Sequence, residues 1–288
     1  MRWTPGQRSE DIEDRRGEGG GGMRGLPGGA GRLGLGGMVL LLILSLVFKQ
    51  DFFSLLSGAA PGPSAGESSA PVRSSPQEDS LVQFVSFVLD DAQGTWAKVF
   101  QQAGRPWQNA KLVLYREGTQ TACGVGESAA GPFYCPGDQK VYIDLGFYEE
   151  LQTRFGAPGD FAQAYVLAHE LGHHVQNLLG TDARVRRLQR SNPDSQNALS
   201  VRLELQADCY AGIWANNTNR RDLLQQGDVE EGLRAAAAVG DDRLQKQMTG
   251  HVNPDAFTHG TSQERMQWFQ RGFQTGQPEA CDTFKGAS

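Results

Sequence analysis

The stretch AHELGHHVQ, residues 168–176, constrains this chain more than any other feature of its sequence. His169, Glu170 and His173 form an H-E-x-x-H pattern, and the flanking residues AYVLA and VQNLL are mostly apolar. A helix of this composition lies at least half buried, so two histidines and a carboxylate on it need a polar partner. Residues four apart share one face of a helix, which lets both imidazoles reach a single ion. The pattern therefore predicts an interior helix that binds a metal.

The spacing also assigns a role to each residue of the motif. His169 and His173 are predicted to bind zinc, whereas Glu170 points about 100° away from His169, toward a water on the ion. Glu170 is the predicted general base. The alternative is a chance match, which would predict a charged and exposed helix. The metzincin pattern requires Gly and His where the chain has Gln176 and Leu179, so that class is excluded.

Hydrolytic zinc needs a third protein ligand and an open fourth position. The next candidate segment is LELQADCYAGIWA, residues 203–215, in which Glu204 and Asp208 lie one helical turn apart beside the small residues Ala207 and Ala211. Glu204 is the predicted third ligand, and Asp208 is predicted to accept the free ring N–H of a ligand histidine. A pair of solvated acids, or Asp208 as the ligand, are the alternatives.

The N-terminal part of the chain divides into three segments by composition. Residues 1–32, rich in Gly and Arg, are predicted to form a disordered cytoplasmic leader. Residues 33–53 include the apolar run LGLGGMVLLLILSLVF and are predicted to form a single transmembrane helix, which leaves the rest of the chain outside the cytoplasm. A cleaved signal peptide is the alternative. Residues 54–78 are predicted to be a flexible linker, followed by one domain over residues 79–288.

Charge and cysteine content narrow the class of protein further. The net charge of −6 gives no reason to expect a nucleic acid as partner. Four cysteines in an oxidising compartment predict two disulfides, most simply Cys123–Cys135 and Cys209–Cys281, although three pairings are possible. A zinc site built from these four cysteines is disfavoured because the sequence has no C-x-x-C pair.

The hydrophobic pattern predicts strands early in the domain and helices later. Apolar residues at helical spacing over residues 81–100 predict a core helix, and KLVLYRE (111–117) and KVYIDLGF (140–147) predict strands. Four more helices are predicted at residues 160–179, 197–215, 228–239 and 261–274, of which the first, third and fourth have capping-box patterns starting at Asp160, Asp228 and Thr261. This order favours an α+β fold over a doubly wound sheet.

Three further features are candidates for the site. His259, just before the last predicted helix, is a candidate donor to the oxyanion that develops on a substrate carbonyl, with packing of its loop as the alternative. His174 is interpreted as a supporting or surface residue. The strand VYIDL, residues 141–145, is a candidate edge strand for an extended peptide, with an internal strand as the alternative.

HELGHHVQ followed by ELQADCYAG resembles the neutral zinc metallopeptidase family, the YpfJ-like proteins of bacterial membranes. PFYCPGDQKVYIDL, HGTSQER and CDTF also resemble its pattern, so the resemblance covers residue 79 to the end, and the preceding apolar run matches the layout of the family. E-x-x-A-D after H-E-x-x-H is similar to the gluzincins, which implies a zincin-like fold with Glu204 as third ligand. The resemblance implies a single-pass or exported zinc protease and supplies no substrate.

These features together predict a membrane-anchored, extracytoplasmic zinc metalloendopeptidase. Zn²⁺ bound by His169, His173 and Glu204 would activate a water for attack on a peptide or protein substrate, with Glu170 as base. A non-catalytic envelope scaffold braced by zinc and a zinc amidase acting on cell-wall peptide are the alternatives. The sequence predicts neither the physiological substrate nor the oligomeric state.

Overall fold

Apolar residues at helical spacing form the long helices of the protein, and short β-branched runs form its strands. The computed structural model describes residues 1–18, 74–127 and 131–285. These residues form six strands and eight α-helices. In chain order the elements are β1 (Ile12–Asp14), α1 (Pro76–Gln102), β2 (Lys111–Tyr115), β3 (Gly118–Thr121), β4 (Gly124–Glu127), β5 (Phe133–Cys135), β6 (Lys140–Asp144), α2 (Gly146–Thr153), α3 (Asp160–Leu179), α4 (Thr181–Ser191), α5 (Gln196–Arg220), α6 (Asp228–Ala238), α7 (Asp241–Thr249) and α8 (Ser262–Thr275).

A small mixed sheet and a layer of helices make up the fold. The sheet has the strand order β1-β2-β6-β5, in which β1, β2 and β6 are parallel and β5 is an antiparallel edge strand. Strands β3 and β4 form a separate antiparallel pair. Helix α3 packs against α1, α5 and α6, and its apolar face forms the centre of the main core together with β2 and β6. The prediction of a mostly helical α+β fold is confirmed.

Both predicted disulfides are present. Cys123 is bonded to Cys135, which ties the β3–β4 pair to the edge strand β5, and Cys209 on α5 is bonded to Cys281 near the C-terminus. The described residues contain no free cysteine. Two disulfides in a domain of this size are typical of an oxidising, extracytoplasmic compartment.

The prediction of a disordered leader is wrong for residues 1–18. β1 pairs with β2, Trp3 stacks edge-on against Phe84 with ring centroids 5.3 Å apart, and the Arg16 side chain is buried against Asp14. Composition averaged over 32 residues concealed this short ordered piece. An edge strand needs only a partner backbone and charge pairs, here Glu13 with Lys140 at 2.8 Å, and little apolar surface of its own.

The pairing of β1 with β2 also bears on the predicted membrane topology. A single crossing by residues 33–53 would place residues 1–32 and the domain on opposite faces of a bilayer. Because β1 is hydrogen-bonded into the sheet of the domain, residues 1–18 lie on the same side of any membrane as the rest of the described residues, so the prediction of a leader and a domain on opposite sides is wrong. The run 33–53 lies outside the described residues, and within the described ones no helix has the length and apolar composition to cross a membrane.

Several predicted element boundaries also need correction. Helix α1 begins at Pro76 with a capping box formed by Ser75 and Glu78, so the predicted linker over 54–78 ends earlier than expected. The strand predicted over 140–147 ends at Asp144, because Gly146 begins α2. The capping box of α8 is confirmed at Thr261. Those predicted at Asp160 and Asp228 are wrong, because Gly159 and Gly227 occupy the N-cap positions and both acids have other partners.

Candidate metal centre

Helix α3 presents the H-E-x-x-H residues at the floor of a cleft. The helix is apolar on the side that faces the sheet, and it ends where Gly180 adopts the left-handed conformation at φ 76°. His169 and Glu170 are 6% and 7% exposed, and His173 is half-buried. The predicted interior helix is thus confirmed, and the polar face of its middle turns opens toward the cleft.

The structure brings together the three residues predicted as metal ligands. A nitrogen of each ring and a carboxylate oxygen of Glu204, on α5, all lie within 4.8 Å of one another. His169 Nε2 is 3.2 Å from Glu204 Oε2, and His173 Nε2 is 3.4 Å from Glu204 Oε1. Bonds of about 2.0–2.2 Å at a tetrahedral zinc ion separate neighbouring ligand atoms by roughly 3.3–3.5 Å. We call these three residues the metal cluster, and their donor atoms fit zinc.

The charges around the metal cluster favour a cation. Burial alone would lower the pKa of His169, but the carboxylates of Asp208 and Glu204 raise it to about 10. Burial would raise the pKa of Glu204, but His173 and His169 hold it well below its usual range. The field at this position therefore stabilises positive charge, whether it is carried by a proton or by a metal ion.

Asp208 lies behind the metal cluster, fully buried. Its Oδ1 is 2.8 Å from His169 Nδ1, the ring nitrogen opposite the one that faces Glu204. Arg265 on α8 donates to both oxygens of Asp208, at 2.8 and 2.9 Å, and the hydroxyl of Tyr165 donates to Oδ1. The contact predicted between Asp208 and a ligand histidine is therefore present. The alternative of solvated acids on α5 is excluded, since Glu204 is half-buried and Asp208 has no exposed surface.

Small residues set the spacing of the helices that carry these groups. A Cβ on Gly172 of α3 would lie 2.9 Å from the carbonyl oxygen of Ala207 on α5. A Cβ on Gly272 of α8 would lie 1.9 Å from the carbonyl oxygen of Cys209, and one on Gly212 would meet the carbonyl oxygen of Phe269. Only glycine permits these approaches. They bring Glu204 and Asp208 to α3, and Arg265 to Asp208.

Gln176 orients the second histidine of the motif. Its Oε1 is 2.9 Å from His173 Nδ1, and its Nε2 donates to the carbonyl of Leu203 at 2.7 Å. A metzincin would have a glycine at this position. Here the amide fixes the ring of His173 from behind and also ties α3 to α5, one residue before Glu204.

The metal cluster opens into a cleft of about 610 Å³. Edge strand β5, through Phe133 and Tyr134, contributes one wall, and α2 and α7 contribute residues that include Phe147 and Met248. The suggestion that VYIDL is an edge strand is wrong: β6 lies between β2 and β5, and β5 has the free edge. β5 was not predicted as a strand because it lies in a sequence rich in turn residues, bounded by the two cysteines of a disulfide.

His259 lines the cleft, as its predicted role requires. Its Nδ1 is 3.1 Å from Asp241 Oδ1, and Asp241 also accepts from the backbone N–H groups of Thr258, His259 and Gly260. The hydrogen bond with Asp241 raises the pKa of His259 above its usual 6.5, although partial burial opposes the shift. The side chain is 49% exposed, so a substrate in the cleft can reach it.

His174, next to the second motif histidine, faces away from the metal cluster. It is fully buried, and its ring lies 2.9 Å from the Tyr134 hydroxyl and 2.7 Å from the carbonyl of Gln108. Burial lowers its pKa. His174 therefore links α3 to β5 and to the loop before β2, which agrees with a supporting role.

A second group of three acids lies at the N-terminal end of α3. Asp160, Asp228 and Glu231 could by distance also hold a metal, and we call them the acidic cluster. The N-terminal ammonium of Met1 already lies among them, 2.7 Å from Asp160 and 3.3 Å from Asp228. Glu231 accepts from the backbone N–H of Phe161. This cluster therefore has its own cation.

Sequence reasoning did not identify Arg265 and Tyr165. Each lies on a predicted helix, and although Arg265 ends the HGTSQER segment, neither residue was assigned a role. The available signal was the carboxylate of Asp208, which sits among Ala, Cys and Ile and requires more than one imidazole to balance its burial. The missing cation could have been sought on the last helix, where SQER carries Arg265.

Comparison with known proteins gives a consistent result. The sequence model of the family described as "Putative neutral zinc metallopeptidase" matches residues 1–284. The chain is 47% identical to the uncharacterised protein YpfJ of Escherichia coli K12 over 286 residues, which is 99% of both chains. It is also 47% identical to the uncharacterised protein Rv2575 of Mycobacterium tuberculosis H37Rv over 189 residues, 61% of this chain and 62% of that protein. No solved structure matches the chain.

Proposed function

The chain belongs to the neutral zinc metallopeptidase family, and on that premise we propose that it is a zinc-dependent endopeptidase that hydrolyses peptide bonds outside the cytoplasm. One observation carries the proposal. Two imidazole nitrogens and one carboxylate oxygen are spaced as zinc ligands at the floor of an open cleft, next to the buried carboxylate of Glu170. A structural zinc site would close its fourth position with another protein ligand and would have no use for Glu170.

His169, His173 and Glu204 are the residues that would hold the ion. Zinc, when bound, supplies a Lewis acid for the substrate carbonyl and lowers the pKa of water. Asp208 fixes the orientation of His169, and Gln176 that of His173, so that Nε2 of both rings faces the cleft side. This ligand set is of the gluzincin type, in agreement with the E-x-x-A-D segment.

Glu170 acts as the proton carrier. It lies on the turn that carries both histidines, and burial raises the pKa of its carboxyl, which brings the group closer to the range suited to general acid–base catalysis at neutral pH. It accepts a proton from the attacking water and transfers it to the leaving amine.

His259 stabilises the charge that develops on the scissile carbonyl oxygen. Its Nδ1 is held by Asp241, which leaves the Nε2–H free to donate into the cleft. A cationic ring is the stronger donor to an oxyanion, and Asp241 keeps the ring cationic above its usual pKa. Peptide binds along β5, whose free backbone edge can pair with an extended chain.

We place the protein in an oxidising compartment on the strength of its two disulfides, with residues 1–18 and the domain on the same side of any membrane because β1 pairs with β2. A membrane-impermeant maleimide applied to intact cells tests this location. Cysteines introduced at the exposed residues Glu10 and Ala183 should react to the same extent. Reaction of only one of them contradicts the shared side.

Replacing Glu170 with Gln tests the mechanism. The side chain keeps its shape and loses its ability to accept a proton, so we expect one zinc per chain by metal analysis and a fall in kcat of roughly 10²–10⁴-fold on a quenched-fluorescence peptide. Glu149→Gln, on the exposed face of α2, is the matched control and should cleave like the parent. If Glu170→Gln cleaves as fast as the parent, the protein is a zinc-braced scaffold or uses another base.

A further inference from the structure

A shallow groove continues from the metal cleft past the C-terminal end of α3. The groove encloses about 370 Å³. It is lined by Pro136, Gly137, Asn177, Asp182, Ala183, Arg186, Arg187 and Arg190. Pro136 and Asp182 line both the groove and the metal cleft, so a chain bound in one can continue directly into the other.

The groove is positively charged although the protein carries a net charge of −6. Three exposed arginines of α4 face a single carboxylate, that of Asp182, which is paired with Arg186. In the parts of the chain that the structure describes, Arg187 and Arg190 have no acidic partner. Guanidinium groups form bidentate hydrogen bonds with carboxylates, so a surplus of them on one side of a cleft favours an acidic ligand there.

The position of the groove sets its distance from the reacting bond. From His173 to Gly180 the helix axis of α3 advances about 10 Å at 1.5 Å per residue. An extended peptide advances about 3.3 Å per residue, so a side chain in the groove belongs to a residue about three or more positions from the scissile bond. β5 leads to the same place, because it runs from Phe133 through the cleft wall to Cys135 and is followed directly by Pro136.

We propose that this groove, defined by Arg186, Arg187 and Arg190, binds an acidic stretch of the substrate, three or more residues N-terminal to the bond that is cleaved. The proposal includes antiparallel pairing of the peptide with β5, so that it enters at Pro136 and runs toward Phe133, which places the groove on the N-terminal side of the bond. This inference rests on the proposed peptidase function and adds a substrate class to it: polypeptides with clustered Asp or Glu upstream of the cleavage site.

The experiment compares three quenched-fluorescence peptides of one scissile sequence, with the zinc-loaded full chain. The first has three Glu residues at positions three to five N-terminal to the scissile bond, the second has Gln there, and the third has the Glu residues on the C-terminal side. We expect kcat/KM for the first to exceed the other two by roughly 3- to 10-fold at low salt, through KM. The excess should shrink at 0.5 M salt, where screening is stronger.

Arg187→Gln combined with Arg190→Gln should lower kcat/KM for the first peptide to the value for the Gln peptide. Arg220→Gln, an exposed arginine at the end of α5 and outside both cavities, is the matched control and should change nothing. Equal cleavage of all three peptides, or a preference for the third, overturns the proposal. A preference for the first peptide that survives the double substitution also overturns the proposal. Binding to phosphatidylglycerol vesicles is measured for the parent and the double variant, and if the substitutions reduce vesicle binding but not peptide cleavage, the proposal is again overturned.

A binding measurement separates this inference from the peptidase function. Fluorescein-labelled forms of the first and second peptides are titrated with the full-length Glu170→Gln variant and followed by anisotropy. If no peptide is cleaved by the parent but the Glu peptide binds in an arginine-dependent way, the peptidase proposal fails and the proposal that the arginine groove binds acidic peptide stands. If peptides are cleaved but both bind with equal affinity, the groove proposal fails alone.

Discussion

The metal cluster and the acidic cluster each combine at least one residue of α3 with at least one acid from another helix, and by ligand distance alone the two look alike. They differ in how their charge is balanced. The acidic cluster surrounds the ammonium of Met1, whereas the metal cluster has its internal cation, Arg265, directed at Asp208 and 3.9 Å from Glu204. The acidic cluster lies where the N-terminus contacts α3 and α6, and the metal cluster lies on the cleft.

The comparison shows that ligand geometry is a weak criterion for a metal site until the nearby cations are assigned. An acid that already surrounds a cation inside the protein contributes to stability, and an acid grouped with two imidazoles on a cleft is available to bind a metal. The first two predictions below alter one cluster or the residues that orient it, and the third, with the smallest expected effect, alters the His259–Asp241 pair that lines the same cleft.

Removing an acid from the metal cluster should abolish zinc binding, whereas removing one from the acidic cluster should leave zinc binding intact. Glu204→Gln deletes the only anionic ligand of the metal cluster, so we expect zinc content to fall from one per chain to near zero, with loss of peptide cleavage. Asp228→Asn is the matched control. It should retain zinc and lose about 1–3 kcal/mol of unfolding free energy with the charged hydrogen bond to Met1. Loss of zinc from Asp228→Asn instead would reverse the assignment of the two clusters.

Weakening the support of a ligand should lower zinc affinity without abolishing it. Asp208→Asn keeps one side-chain oxygen but replaces the other with an NH2 group, which cannot accept the hydrogen bonds from His169 and Arg265 together. We expect a roughly 10- to 100-fold weaker zinc affinity, measured by competition with a chelator. Tyr165→Phe removes a single donor to the same carboxylate and should have a smaller effect. An unchanged affinity in Asp208→Asn would show that Asp208 is only a packing residue.

The smallest expected effect is a shift in pH dependence. Asp241 raises the pKa of His259, so the ring stays cationic above pH 6.5 and loses its charge as the pH rises through the raised pKa. Glu204 also raises the pKa of His259, and Arg265 lowers it. The alkaline limb of kcat/KM should move to lower pH in Asp241→Asn and be missing in His259→Gln. If the limb is the same in the parent and both variants, His259 does not act as a charged donor.

Local pattern was sufficient to predict the two helices that carry the metal cluster and the three residues of that cluster. The period of apolar residues around His169 and His173 predicted both the helix and its burial, and the neighbouring Ala207 predicted the close approach that brings Glu204 to the histidines. Side-chain spacing on a helix is a local property, so the sequence of each helix shows which of its residues share a face.

The rest depends on contacts between distant parts of the chain. Arg265 is 57 residues from its partner Asp208, and its position follows from the reciprocal packing of Gly212 and Gly272, which no local pattern reveals. The edge strand β5 is three residues long and was concealed by the glycines around it. The ordered N-terminal strand was missed because its stability comes from β2, far along the chain.

The pairing of β1 with β2 has a consequence for synthesis. The two strands are separated by about 100 residues of sequence, including the entire apolar run. At a ribosome speed of about 5–20 residues per second, the first strand is exposed for roughly 5–20 s before its partner emerges. During that interval β1 has no partner strand, so the sheet cannot close and the backbone edge of β1 is available to chaperones.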